Sequence, residues 1–331
     1  MSFTENGPRK PVTESIRVDK VSPKARMGKT VRIILIFVIA IVGLVPIFIM
    51  GMTAFKSRSA IVQVPPQLVF EPTLEGVVFL LTDRSNLSGK RLEKAKANAD
   101  QLGLFGQVAL RSGQTITGPS DFVNRLKNSL IIAIGSTIFS VTLGLFAAYA
   151  FSRFDMPGKD DLLFFILSTR MLPAVVVTIP LFLMYRQIGL YDTHLGMIIL
   201  YTVFNLSLTT WLLKGFIDEI PLEYEEAALV DGYSRFQAFF KIVLPQAATG
   251  IAATTVFAFI FAWNEYAFAL MLTSQQARTA PPAIATMQGR GGIEWSAIAA
   301  GSLVFLIPVV IITFALRKHL LRGVTFGAIR Q

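Results

Sequence analysis

The 331-residue sequence contains no cysteine, only two histidines and only 16% charged residues. Without cysteine there is no disulfide framework, thiol nucleophile, haem-attachment motif or cysteine zinc site. His194 and His319 fall near opposite membrane faces, too far apart for one metal site, and each reads as an interfacial residue. No G-x-x-x-x-G-K-[ST] phosphate loop is present. Gly289-Arg290-Gly291-Gly292 lacks the lysine, the hydroxyl residue and the strand-to-helix setting that such a loop needs. The chain is therefore expected to hydrolyse no ATP by itself, to be no enzyme and to bind no cofactor or metal. Nor is any internal repeat visible, which weakens the case for a secondary transporter built from matching halves.

What is abundant is apolar surface: 53% of the residues are hydrophobic and the mean hydropathy is +0.57, above the range of ordinary globular domains. The net charge of +10 does not indicate nucleic acid, because the cations concentrate at the N-terminus and beside apolar runs, where membrane topology requires them. Membrane lipid is the expected surrounding. A bilayer crossing takes about 20 mostly apolar residues, and six windows qualify: about 31–54, 128–151, 162–185, 194–214, 247–272 and 297–316. The first exceeds a signal-peptide core and has no convincing small-x-small cleavage site before Lys56, so it reads as an uncleaved span.

Six crossings put both ends of the chain on one side. Lys and Arg enrich cytoplasmic segments, and three stretches agree: the tail carrying Arg9, Lys10, Arg17, Lys20, Lys24, Arg26 and Lys29; Arg153 and Lys159; and Arg317, Lys318 and Arg322. The expected fold is all-α and polytopic, with cytoplasmic tails at 1–30 and 317–331, a first span at 31–54, an extracytoplasmic loop at 55–127 and a five-helix core at 128–316. Within the loop, Gly89 to Leu102 is rich in helix formers, with Leu92, Ala95, Ala99 and Leu102 on one face. That segment either meets an external partner or lies solvated on the membrane surface or the protein. Pro46, Pro173, Pro180 and Pro308 are candidate kinks, and Gly135, Ser140 and Gly144 suit close helix packing.

Charge at membrane depth is costly and usually faces a bundle interior or cavity, which singles out Arg170 and Glu265. Glu265 lies in Trp263-Asn264-Glu265-Tyr266, a set able to bind a neutral polyol through amide and carboxylate with a ring over its C–H face. The same Trp and Tyr equally suit an interfacial anchor. Asn205, Thr209 and Thr210 are further candidates for polar lining, but Ser and Thr often only hydrogen-bond between helices, and packing is the favoured reading. An ion relay through Arg170 and Glu265 is the main alternative to an ATP-driven pathway; a membrane enzyme acting on a lipid-linked sugar is another.

Between two apolar windows lies a polar stretch, 215–246, expected to form a helical hairpin in the cytoplasm. Pro221 suits a first helical turn, Glu223, Glu225 and Glu226 favour the positive helix end, and Ala227 and Ala228 leave a shallow face. Gly232, beside Asp231, can end that helix in the left-handed region. Ser234 with Gln237 reads as a capping box, and Phe236, Phe239, Phe240 and Val243 are spaced for one face of a second helix.

Glu226-Ala227-Ala228, Gly232 and Ile242-x-Leu244-Pro245 resemble the EAA loop that ABC importer permeases present to their ATPases. Asn128-Ser-Leu through Ala148 to Phe154, Trp263 to Tyr266, and Arg322 to Gly327 look like the maltose-type carbohydrate branch. The resemblance covers roughly residues 30–331, while the insert around 84–118 is longer than that branch leads one to expect. It implies a bacterial plasma (inner) membrane permease for a sugar, oligosaccharide or polyol. Its partners would be a second related permease, two ATPase subunits that use ATP and Mg, and an extracytoplasmic solute-binding protein. Glu226 would contact the ATPase, and its closure would pass through the hairpin to the fifth span.

Overall fold

The computed structural model describes residues 23–65, 67–289 and 292–326, with side chains from Thr30 to Lys318. The tail before residue 23, Arg290-Gly291, the side chains of His319 and Arg322, and residues 327–331 fall outside the described residues. The chain divides into two units, 1–49 and 50–331. The first holds most of α1 (Pro23–Ala54), whose apolar side chains between Val31 and Ile49 are exposed.

In the second unit α2 (Arg58–Ile61) and α3 (Glu75–Leu81) lead into β1 (Thr82–Asn86), which pairs antiparallel with β2 (Gln114–Pro119). Between the strands lie α4 (Lys90–Ala97), a 3-10 turn (Ala99–Gln101) and α5 (Leu104–Arg111). A second strand pair, β3 (Gln288–Gly289) with β4 (Gly292–Ile293), lies further along. The fold is thus mostly helical rather than all-α. The missed strands are short and polar and lack the alternation of a half-buried strand; β1 reads Thr-Asp-Arg-Ser-Asn. They also bracket the insert closely, so the extra length forms a small lobe sealed by Val78, Phe79, Val108 and Ala109 against Ala297.

The long helices are α6 (Phe122–Arg153), α9 (His194–Asp218) and α16 (Trp295–Phe326). Together with the Thr30–Ala54 stretch they make four helices long and apolar enough to cross a membrane. Small residues let α6 and α9 touch: a Cβ on Gly144 would overlap Thr209 Oγ1, and that hydroxyl donates to Ser140 O at 2.9 Å.

Two of the expected spans are not continuous. The 162–185 window splits into α7 (Lys159–Ser168), a 3-10 turn (Thr169–Met171) and α8 (Ala174–Gln187), with a bend of 91°. Leu172 is extended (ψ 125°) because Pro173 excludes the helical region at the residue before it. The expected kink is therefore a break. After α9 come α10 (Glu223–Val230), α11 (Arg235–Ala238), a π-helical turn (Phe239–Val243), α12 (Leu244–Gln246) and α13 (Ala248–Trp263), the last bent 74° from the segment before it. The 247–272 window breaks once more at Asn264–Tyr266, before α14 (Ala267–Leu272) and α15 (Ala280–Ala285). Counting each bent pair as one crossing raises the number of spans from four to six.

At one end of the bundle Asp192, in the left-handed region at φ 55°, accepts four backbone N–H groups, from Ser274, Gln275, Gln276 and Ala277. Asn128 donates to Gln276 O and Arg278 O, and its own oxygen meets His194 Nε2 at 2.8 Å. The α14–α15 connection is thereby fixed to the start of α6 and α9.

Candidate functional site

Two groups of the expected site residues are each gathered in space. The first surrounds a cavity of 150 Å³ lined by Arg170, Tyr201, Asn205, Phe261 and Glu265, which come from the α7–α8 break, α9, α13 and the α13–α14 break. Breaking a helix at membrane depth frees backbone groups that need partners. Glu265 supplies two of them, accepting from Phe268 N at 2.8 Å and Ala269 N at 3.0 Å, while Tyr201 Oη donates to it at 2.6 Å. Its carboxylate is first of all the cap of α14. The Arg170 guanidinium lies 4.2 Å from the Phe261 ring centroid, and its buried Nη1 has no hydrogen-bond partner among the described residues. Asn205 Nδ2 donates to Ala258 O at 3.1 Å.

The neighbours of Glu265 divide. Trp263 is 1% exposed, its ring stacked between Phe259 and Phe305, and its indole N–H donates to Phe305 O at 3.1 Å. It is a core residue here, without a free polar group. Asn264 is exposed and donates to Ile260 O, and Tyr266 is 40% exposed. Thr209 bonds between helices, as expected; Thr210 Oγ1 has no hydrogen-bond partner among the described residues. A larger hollow of 590 Å³ between α7 and α9, lined by Phe164, Trp211, Lys214 and Asp218, had no sequence signal; its lysine and aspartate are spent on each other at 2.6 Å.

The second group is the α10–α12 segment. Gly232 takes φ 87°, and Ser234 and Gln237 form both bonds of the capping box. Glu226, Ala227, Asp231, Gly232 and Pro245 are exposed, Ala228 is buried, and Ile242 and Leu244 are half-buried. The four aromatic and aliphatic positions do not share one environment. Phe239 and Val243 enter the core with Leu213 and Ile217, whereas Phe236 and Phe240 stay outside with Val230. The buried row lies within the π-helical turn, a feature that spacing counted at an ordinary helical period does not reveal.

Sequence reasoning assigned no role to Arg153 in this segment and saw in Glu225 only a favourable charge near a helix start. Glu225 is 4% exposed. It accepts from Arg153 Nε and, at 2.8 Å, from Tyr149 Oη, both on α6. Arg153 also donates to Ile220 O at 2.8 Å and to Ser152 Oγ at 3.1 Å, and Ser152 donates to Asp218 at 2.6 Å.

Four apolar helices long enough to cross a bilayer, with two further bent helix pairs of similar composition, define a multi-pass membrane protein. Residues 140–326 match the model of the family described as binding-protein-dependent transport system inner membrane component. The chain belongs to that family and is a permease subunit of an ABC importer. It is 40% identical over 212 residues to the trehalose transport system permease protein SugB of Mycobacterium tuberculosis, covering 63% of this chain and 77% of that one. To the trehalose/maltose transport system permease protein MalG of Thermococcus litoralis it is 35% identical over 207 residues, 62% and 74% of the two chains. The fold is also that of a chain in the crystal structure of a bacterial ABC transporter importing the acidic polysaccharide alginate. The TM-score is 0.61 at 20% identity, over 90% of this chain and 98% of that one.

Proposed function

We propose that this subunit lines a sugar or polyol pathway and is driven by separate ATPase subunits that dock on the α10–α12 segment. The observation that carries the reading is the outer face of that segment. Phe236 (66% exposed) and Phe240 (43%) lie ring to ring at 5.1 Å, and Val230 (87%) stands one helical turn beyond the exposed acid Glu226 on α10. Apolar side chains presented together on a polar surface mark an interaction site. Glu226 would meet basic residues of an ATPase that holds ATP and Mg, while Ala227 and the Gly232 turn allow close approach. Asp231, Ile242, Leu244 and Pro245 complete the same motif, the last three leading into α13.

The reading extends to the whole assembly: a second related permease, two ATPases and an extracytoplasmic solute-binding protein, with no catalysis by this chain. With each broken pair as one crossing, the positions of Arg153, Lys159, Arg317 and Lys318 favour cytoplasmic termini in a bacterial inner membrane and an extracytoplasmic insert. Sugar as cargo is supported by the names of the trehalose and maltose relatives. The unmet Arg170 donor, with Tyr201, Asn205 and Glu265 nearby, suits hydroxyl-bearing solutes.

The test is affinity purification from the native membrane in mild detergent, with partners identified by mass spectrometry. The unmodified chain should bring down an ATPase and a second permease. Gly232→Val forces a branched residue to φ 87°, a strain of about 1–2 kcal/mol or more, and should reduce the ATPase while leaving insertion intact. Equal ATPase recovery from both would remove the docking role; recovery of the chain alone would remove the assembly.

A further inference from the structure

Glu225 and Arg153 are joined 72 positions apart in sequence, and each is nearly out of water, at 6% and 7% side-chain exposure. A pair so buried is costly to desolvate and adds little net stability compared with apolar packing, so its presence calls for another account. Its partners supply one. Tyr149 and Arg153 hold both oxygens of Glu225, Arg153 reaches the chain just beyond α9 through Ile220 O, and Ser152 continues the network to Asp218 and Lys214 in the last turns of α9. Around these bonds the Phe239 ring lies 4.7 Å from Tyr149 and 5.6 Å from Phe146, again on α6. The docking segment is therefore fastened to the ends of α6 and α9 by a polar clasp and an apolar plug, as well as by the covalent path into α13.

We propose that the buried Glu225–Arg153 pair is the positioning element that makes the docking segment move as one body with α6, so that a displacement imposed by the ATPase enters the bundle through this long helix. Exposed Glu226 binds, and buried Glu225 transmits. A force carried only along α12 meets the 74° bend before α13, whereas α6 is one unbroken helix from Arg153 to Phe122 and reaches, at Asn128, the bonds that fix the α14–α15 connection. The inference rests on the docking reading above and fails separately from it.

The absence of native cysteine allows single labels to be introduced without background from this chain. Spin labels at exposed Leu143 on α6 and exposed Glu223 on α10 report the distance between the two bodies in the complete complex, nucleotide-free and trapped with ATP, Mg and vanadate. The expected result is one narrow distance unchanged by nucleotide. In Glu225→Gln, with the ATPase still co-purifying, the distance should broaden or shift on trapping. The same is expected of the double variant Glu225→Leu with Arg153→Met, which keeps the volume apolar and guards against simple misfolding. A nucleotide-dependent shift in the unmodified chain, or an unchanged distance in both variants, overturns the proposal. Absence of the ATPase from the unmodified complex would instead overturn the docking reading.

Discussion

Asp192 shows how one carboxylate can set the geometry of a loop, because its folding depends on its charge. Burial pushes its pKa up, but the four backbone N–H bonds together outweigh that and hold it below the ordinary carboxylate value. A depressed folded value means that its stabilisation is present above the unfolded value, about 3.9, and is lost as pH falls through the folded one. Asn tolerates the left-handed backbone at this position, so Asp192→Asn keeps the turn while removing the charge and replacing one of the two accepting oxygens by an NH2 donor that faces two of the N–H groups. The variant should lose about 1–2 kcal/mol at neutral pH, and the gap should close in acid. Unfolding in detergent at a series of pH values reads this directly; a gap constant with pH would place the effect in shape rather than charge. Glu294 runs the other way. Burial raises it, Arg58 and Arg84 oppose that only in part, and Glu75 adds to it. Its contribution is present below the ordinary value and lost as pH rises through the folded one, so Glu294→Gln should flatten the fall in stability that begins just above the ordinary carboxylate value.

At the scale of elements, the α6–α9 contact depends on the absence of a side chain. With a Cβ, Gly144 would overlap Thr209 Oγ1 and lie 2.9 Å from Thr209 Cβ, neither of which can retreat from a helix already in contact. Gly144→Ala should cost about 1–3 kcal/mol by overpacking, and Thr209→Ala in that background should restore part of the loss. Detergent unfolding of the single and double variants measures it, and full stability of Gly144→Ala would mean that the helices can separate. This contact was legible in the sequence because small residues at helical spacing have few other uses in an apolar span. So were the Gly232 turn and the Ser234–Gln237 cap, whose chemistry is local. Glu225 was not: in the run Glu223-Tyr-Glu-Glu it is indistinguishable from its solvated neighbours, and only α6, far away in sequence, buries it. The breaks near Pro173 and Glu265 were hidden for a related reason. An apolar window registers composition, not whether the helix through it is continuous.

For the whole molecule, the added lobe separates what the fold requires from what it merely carries. None of the residues of α4 is buried, whereas α5 buries Val108, Ala109 and Leu110, the first two against the α3 side of the lobe. Sequence reasoning found the helix-forming stretch from Gly89 but not this asymmetry, since the apolar face of α5 has meaning only once β1 and β2 close the lobe. Replacing Lys90–Gln101 by a short Gly-Ser linker should therefore leave stability within about 0.5 kcal/mol, because exposed residues contribute little and closing a loop of different length costs little. Leu110→Ala, at a site 5% exposed, should cost about 2–5 kcal/mol. Thermal unfolding of the two variants in one detergent compares them. If the linker variant is the less stable, the exposed helix braces the lobe. If it matches the unmodified chain and still recovers the ATPase, the Lys90–Gln101 segment acts only outward, on whatever meets that face of the protein.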